Sequence, residues 1–115
     1  MKEFLQSFIY AIKSLWAAID DQRNLKVQLA VACIVVGAGF YFSISSLEWC
    51  IILICIAIVT GMELINTAIE NLVDLVTMER NPLAGKIKDI AAGAVLAVSV
   101  ISLIVGLIIF RKYVV

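Results

Sequence analysis

The chain has 115 residues, of which 63% are apolar, and its nine basic and nine acidic residues leave no net charge. That apolar content exceeds the roughly one-half expected of a soluble domain, so much of the surface must face something other than water. The charge balance excludes a strongly basic nucleic-acid binder. The absence of histidine removes imidazole catalysis and histidine-held metals.

Residues 4–19 read as an amphipathic helix, because Leu5, Phe8, Ile9, Ile12, Leu15, Trp16 and Ile19 recur at helical spacing. Such a helix suits the membrane interface, or a face packed on spanning helices. It carries Tyr10 and Lys13 and lacks a small-residue cleavage site, so it does not read as a signal peptide. Asp20-Asp21-Gln22-Arg23-Asn24 reads as the polar turn that ends it. Cys33, Cys50 and Cys55 lie in apolar runs without metal-site spacing and read as small hydrophobes.

Three spans follow, over 25–42, 49–76 and 88–110. No residue between Val27 and Leu47 is charged, enough helix to cross a hydrocarbon core of about 30 Å. Ser43-Ile44-Ser45-Ser46 makes a short turn, and Glu48-Trp49 marks an interface, where tryptophan is favoured. The third span follows Lys86-Ile87-Lys88-Asp89 and ends at Arg111-Lys112. Its small residues, Gly93/Ala97 and Ser102/Gly106, allow close helix packing. Lys2, Lys13, Arg23, Lys26, Arg80, Lys86 and Lys88 fall on one side of the membrane, and only Arg111 and Lys112 on the other. The positive-inside rule therefore puts the N-terminus and the 77–89 loop in the cytoplasm.

The second span is anomalous in its last half. Glu63, Asn66, Glu70 and Asp74 stand at i, i+3, i+7 and i+11, within a stripe roughly 80° wide on one helix face. A carboxylate at the depth of Glu63 costs at least a few kcal/mol, or about that, unless paired, protonated or wet. Interhelical hydrogen bonding, a proton path and a reaction site all remain open as its use, and Asp74 also suits the headgroup zone. Lys88, returning beside the stripe after a short loop, supplies a cation near Glu70 and Asp74. Carboxylates that hold Mg²⁺, a cation for phosphate oxygens and a carboxylate base suit a reaction between a soluble phosphate donor and a membrane-bound alcohol. Neither a Walker A sequence nor a GxGxxG loop is present, which excludes the common nucleotide folds.

The stretch Glu63-Leu-Ile-Asn66-Thr67-Ala-Ile-Glu70-Asn-Leu-Val-Asp74, followed by Lys88-Asp89-Ile-Ala-Ala-Gly93-Ala-Val, resembles the small prokaryotic diacylglycerol kinase and undecaprenol kinase family. Both halves of that family's signature occur at the family spacing, and Tyr10-Ala-Ile-Lys13-Ser-Leu15 matches its amphipathic first helix. The resemblance implies an all-α membrane protein and a homotrimer with sites shared between subunits. It implies ATP-dependent transfer of the γ-phosphate to a lipid hydroxyl in the bacterial cytoplasmic membrane, with no nucleic-acid partner.

On the family pattern Glu63 is the base on the lipid hydroxyl, and Asn66 supports the site. Glu70 holds Mg²⁺, and Lys88 and Asp89 engage the phosphates. Tyr10, Glu79, Arg80 and Asn81 contact the nucleotide. The family commonly has a second metal-binding glutamate where this chain has Gln22, a neutral and weaker oxygen donor, with Asp21 the nearest substitute. The wording of 66–70 and 91–95 resembles the undecaprenol branch more than the diacylglycerol branch. A non-enzymatic assembly or proton-coupled transport protein is the competing class.

Overall fold

The computed structural model describes residues 1–115 as four helices: α1 (Lys2–Asp21), α2 (Arg23–Phe42), α3 (Ser46–Val76) and α4 (Pro82–Val114). The last three are long and apolar enough to cross a membrane. Only 10 of the 115 residues are buried, and large apolar side chains lie exposed along every helix. Such a chain cannot hide its apolar surface within itself; lipid or further protein has to cover it. It is an all-helical, multi-pass membrane protein.

The connections are tighter than the sequence suggests. Gln22 alone interrupts α1 and α2, in extended backbone, while Asp20, Asp21, Arg23 and Asn24 are all helical. The five-residue turn read at 20–24 is therefore one residue. Gln22 N–H still donates to Ala18 and Lys26 N–H to the Gln22 carbonyl, so neither helix end loses its partner there. At the far end of α2, Ser43 takes a left-handed conformation (φ 51°), and the amides of Ser43 and Ile44 turn back onto Phe40 and Gly39.

α3 starts at a capping box. Ser45 Oγ accepts from the Glu48 amide at 3.2 Å, and the Glu48 carboxylate accepts from the Ser45 amide at 3.0 Å. α4 begins at Pro82, six residues before the expected span, so the connection is Thr77–Asn81 rather than 77–89. Asn81 Oδ1 accepts from Leu83 and Ala84 amides, and Pro82 needs no amide partner in the first turn. Lys86, Lys88 and Asp89 consequently sit on helix.

α3 and α4 form the main contact, with α2 laid on α3 and α1 touching the start of α2. The small core lies at the Glu48 end, where Ile44, Ile52 and Ile109 are buried beneath Val35, Phe42, Trp49 and Phe110. Gly39 permits this approach: a Cβ there would stand 2.7 Å from the Trp49 ring. The close packing expected at Gly93 and Gly106 does not occur within one chain, since a Cβ at either meets nothing within 4 Å. α1 has no buried residue, and its apolar positions from Leu5 to Trp16 are exposed.

Candidate active site

The polar stripe of α3 occupies the half of the helix away from that core. Glu63 is 4% exposed and Asn66 8%, while Glu70 and Asp74 are half-buried. The gradient follows from chain geometry: Glu63 lies under α2, whereas Asp74 is within a turn of the end of α3. Thr67 Oγ donates to the Glu63 carbonyl at 3.0 Å, which satisfies the hydroxyl without involving the carboxylate.

Three side-chain pairs organise the stripe. Gln28 Nε2, from α2, donates to Glu63 Oε2 at 3.4 Å. Asn66 Nδ2 donates to Glu70 Oε1 at 3.2 Å, an i, i+4 pair on one face. Lys88 Nζ meets Asp74 Oδ1 at 2.6 Å across the Thr77–Asn81 connection, with both side chains about two-fifths exposed. Lys88 was expected beside both Glu70 and Asp74; its contact is with Asp74. Because the pair is well hydrated, it contributes little to stability and is free to exchange partners.

Two acceptors remain buried without a partner, Gln28 Oε1 and Asn66 Oδ1. Buried carbonyl oxygens of this kind are uncommon, and each invites a donor or a cation. No three carboxylate or thiol side chains converge closely enough to hold a metal in one chain. Glu70 has one oxygen free of hydrogen bonds, and Asn66, its partner on the same helix face, has a buried oxygen without a donor. An all-oxygen set of this type fits a hard divalent cation that takes its remaining ligands from phosphates and water.

The other residues singled out in sequence stand apart from these pairs. Tyr10 is exposed on α1, Gln22 is half-buried in the α1–α2 connection, and Asp89 is exposed on α4. None of the three makes a side-chain hydrogen bond to the stripe. Glu79 and Arg80 are exposed in the connection, where the Glu79 amide donates to Thr77 Oγ. Asn81 is exposed too, but its side-chain oxygen is committed to the α4 cap.

Gln28 was missed. Its signal was available, because an amide inside an uncharged apolar span is as anomalous in kind as a carboxylate, though cheaper.

Buried carboxylate, amide partners and a cation at the helix end make a polar site inside a membrane-type helical frame. The chain matches the prokaryotic diacylglycerol kinase family over residues 9–110 and belongs to it. It is similar to the undecaprenol kinase of Bacillus subtilis, 44% identical over 96% of this chain and 89% of that protein. It is also similar to the diacylglycerol kinases of Haemophilus influenzae, 25% identical over 96% of this chain and 94% of that protein, and of Synechocystis, 34% identical over 89% and 59%. The chain is accordingly a lipid kinase, a phosphotransferase with an alcohol acceptor.

Proposed function

We propose that this protein transfers the γ-phosphate of ATP to the hydroxyl of a membrane lipid, and that undecaprenol is the preferred acceptor over diacylglycerol. The observation that carries the reaction is Glu63, a carboxylate 4% exposed within a membrane-length helix and with a single side-chain partner. The preference for undecaprenol rests on the 44% identity to an undecaprenol kinase over nearly the whole chain.

Glu63 takes the proton of the lipid hydroxyl as that oxygen bonds to the γ-phosphorus. The bond from phosphorus to the ADP oxygen breaks with its electron pair leaving on ADP, and the proton on Glu63 later returns to solvent. Asn66 holds Glu70 in place through its amide. Lys88 exchanges Asp74 for phosphate oxygens, and Asp89, Tyr10, Glu79, Arg80 and Asn81 contribute to the nucleotide side. Glu70, with Gln22, would hold Mg²⁺, which when bound neutralises charge on the phosphates.

Residues 1–115 act as one domain. The positive residues put the N-terminus and the 77–81 connection in the cytoplasm, in reach of ATP. α1 lies in the interface of the bacterial inner membrane with its exposed apolar face in lipid. The chain works as a homotrimer, in which Tyr10 and Gln22 of one subunit approach the stripe of another; their separation from it within one chain supports that arrangement.

The test is an ADP-release assay on purified protein with Mg²⁺, offering undecaprenol and diacylglycerol separately. Faster turnover of undecaprenol is expected; faster turnover of diacylglycerol reverses the preference, and turnover of neither overturns the kinase reading. Gln22→Glu is expected to lower the Mg²⁺ concentration needed for half-maximal activity. An unchanged Mg²⁺ requirement would remove Gln22 from the metal site.

A further inference from the structure

Gln28 is the only side chain of α2 hydrogen-bonded to α3, and it reaches the one carboxylate that the proposed reaction protonates. Its amide is half used. Nε2 donates to Glu63 Oε2, which fixes the orientation of the amide, since an ionised carboxylate can only accept. Its other end, Oε1, is buried and has no partner. Thr60, Ser99 and Ser102 line the same apolar groove as Gln28, yet none of their hydroxyls donates to it. The missing donor is therefore not supplied by the resting chain.

The reaction supplies one. When Glu63 takes the hydroxyl proton it stops being a pure acceptor and gains an O–H that must itself be satisfied on a side chain only 4% exposed. A carboxylic acid and a primary amide pair at two points: the amide N–H donates to the acid carbonyl while the acid O–H donates to the amide carbonyl. The structure holds the first of these bonds and leaves vacant the acceptor for the second. Lysine or arginine at position 28 would serve only the carboxylate; the amide carries donor and acceptor on one planar group.

We propose that Gln28 is a positioning residue that holds Glu63 in both its protonation states, its N–H bound to the carboxylate before transfer and its carbonyl oxygen accepting the acid O–H after it. The proton moves only from the lipid hydroxyl to Glu63 and on to solvent; Gln28 gains and loses none. The proposal rests on Glu63 being the base.

The experiment compares Gln28→Leu, Gln28→Met and Glu63→Gln with the parent protein in a lipid-kinase assay, reading kcat and the KM for ATP and lipid separately. Gln28→Met keeps the length and flexibility of the side chain while removing its hydrogen bonds. Both Gln28 variants are expected to lose about 10- to 100-fold in kcat, the scale of a hydrogen bond to a charged group, with both KM values unchanged. Their elution in detergent should match that of the parent. Parental kcat in Gln28→Met overturns the proposal, because packing would then be the whole role of Gln28. A rise in lipid KM with kcat unchanged also overturns it, making Gln28 a wall of the groove. Glu63→Gln separates the two readings: an active Glu63→Gln enzyme removes the base itself, whereas an inactive one beside a fully active Gln28→Met removes only the role of Gln28.

Discussion

At the Glu48 end of the α3–α4 pair, a buried carboxylate is held by the Ser45 amide, by Lys112 Nζ at 2.7 Å and by the Tyr113 hydroxyl. Near the middle of α3, Glu63 is equally withdrawn from solvent and has one amide partner at 3.4 Å. Both are glutamates on one helix, and Glu63, deeper along the span, bears the larger penalty. One is fully engaged in joining the two helices, through the cap of α3 and the last turn of α4. The other is left under-bonded, beside two carbonyl oxygens with no donor. A polar group that serves the fold is satisfied within the fold; one that serves a reaction keeps capacity for what arrives.

If that contrast is right, mutations at the two ends should separate cleanly into losses of turnover and losses of stability. The largest effect is expected from Glu63→Gln, which should reduce phosphoryl transfer by about 10²- to 10⁴-fold, the usual contribution of a general base, while leaving the thermal unfolding midpoint in detergent intact. A fall in stability with proportionate activity would make Glu63 another structural carboxylate. Glu70→Gln should raise the Mg²⁺ requirement by about 10- to 100-fold, the range seen when a side chain supporting a metal site is lost. Titration of activity against Mg²⁺ checks this.

The Glu48 end should answer oppositely. Gly39→Ala forces a methyl against the Trp49 ring and should cost about 1–3 kcal/mol of stability by denaturant titration in micelles, with kcat unchanged. Ser45→Ala removes one half of the capping box and should cost about 0.5–2 kcal/mol, again without effect on turnover at saturating substrate.

Most of the frame could be read from the sequence, since three uncharged runs and their basic flanks are properties of composition. The stripe was legible for the same reason: Glu63, Asn66, Glu70 and Asp74 share a face by helical arithmetic alone. Pairing across helices was legible only in part. Of the two partners expected for Lys88 the structure keeps Asp74 and not Glu70, because α4 starts at Pro82, which sets how far back along α3 a side chain on its second turn can reach. Gln28 reaches Glu63 because of how α2 is laid against α3, and that depends on contacts such as Gly39 with Trp49 that have no local signature. The Glu48 clasp likewise joins residues more than sixty positions apart. The Asn81-Pro82 start of α4 is the opposite case, a cap whose signal is wholly local.

The two ion pairs that tie α3 to α4, Glu48 with Lys112 and Asp74 with Lys88, also act as a ruler. Each helix covers about 36–39 Å between them at 1.5 Å per residue, somewhat more than the roughly 30 Å of a typical hydrocarbon core. The charged ends prefer the two headgroup layers, so bilayer thickness sets how far the helix pair leans. Lean in turn would set the depth of Glu63 in the bilayer. If Glu63 is the base, turnover is expected to change with the acyl-chain length of the host bilayer, and kinase assays in vesicles of graded thickness check this.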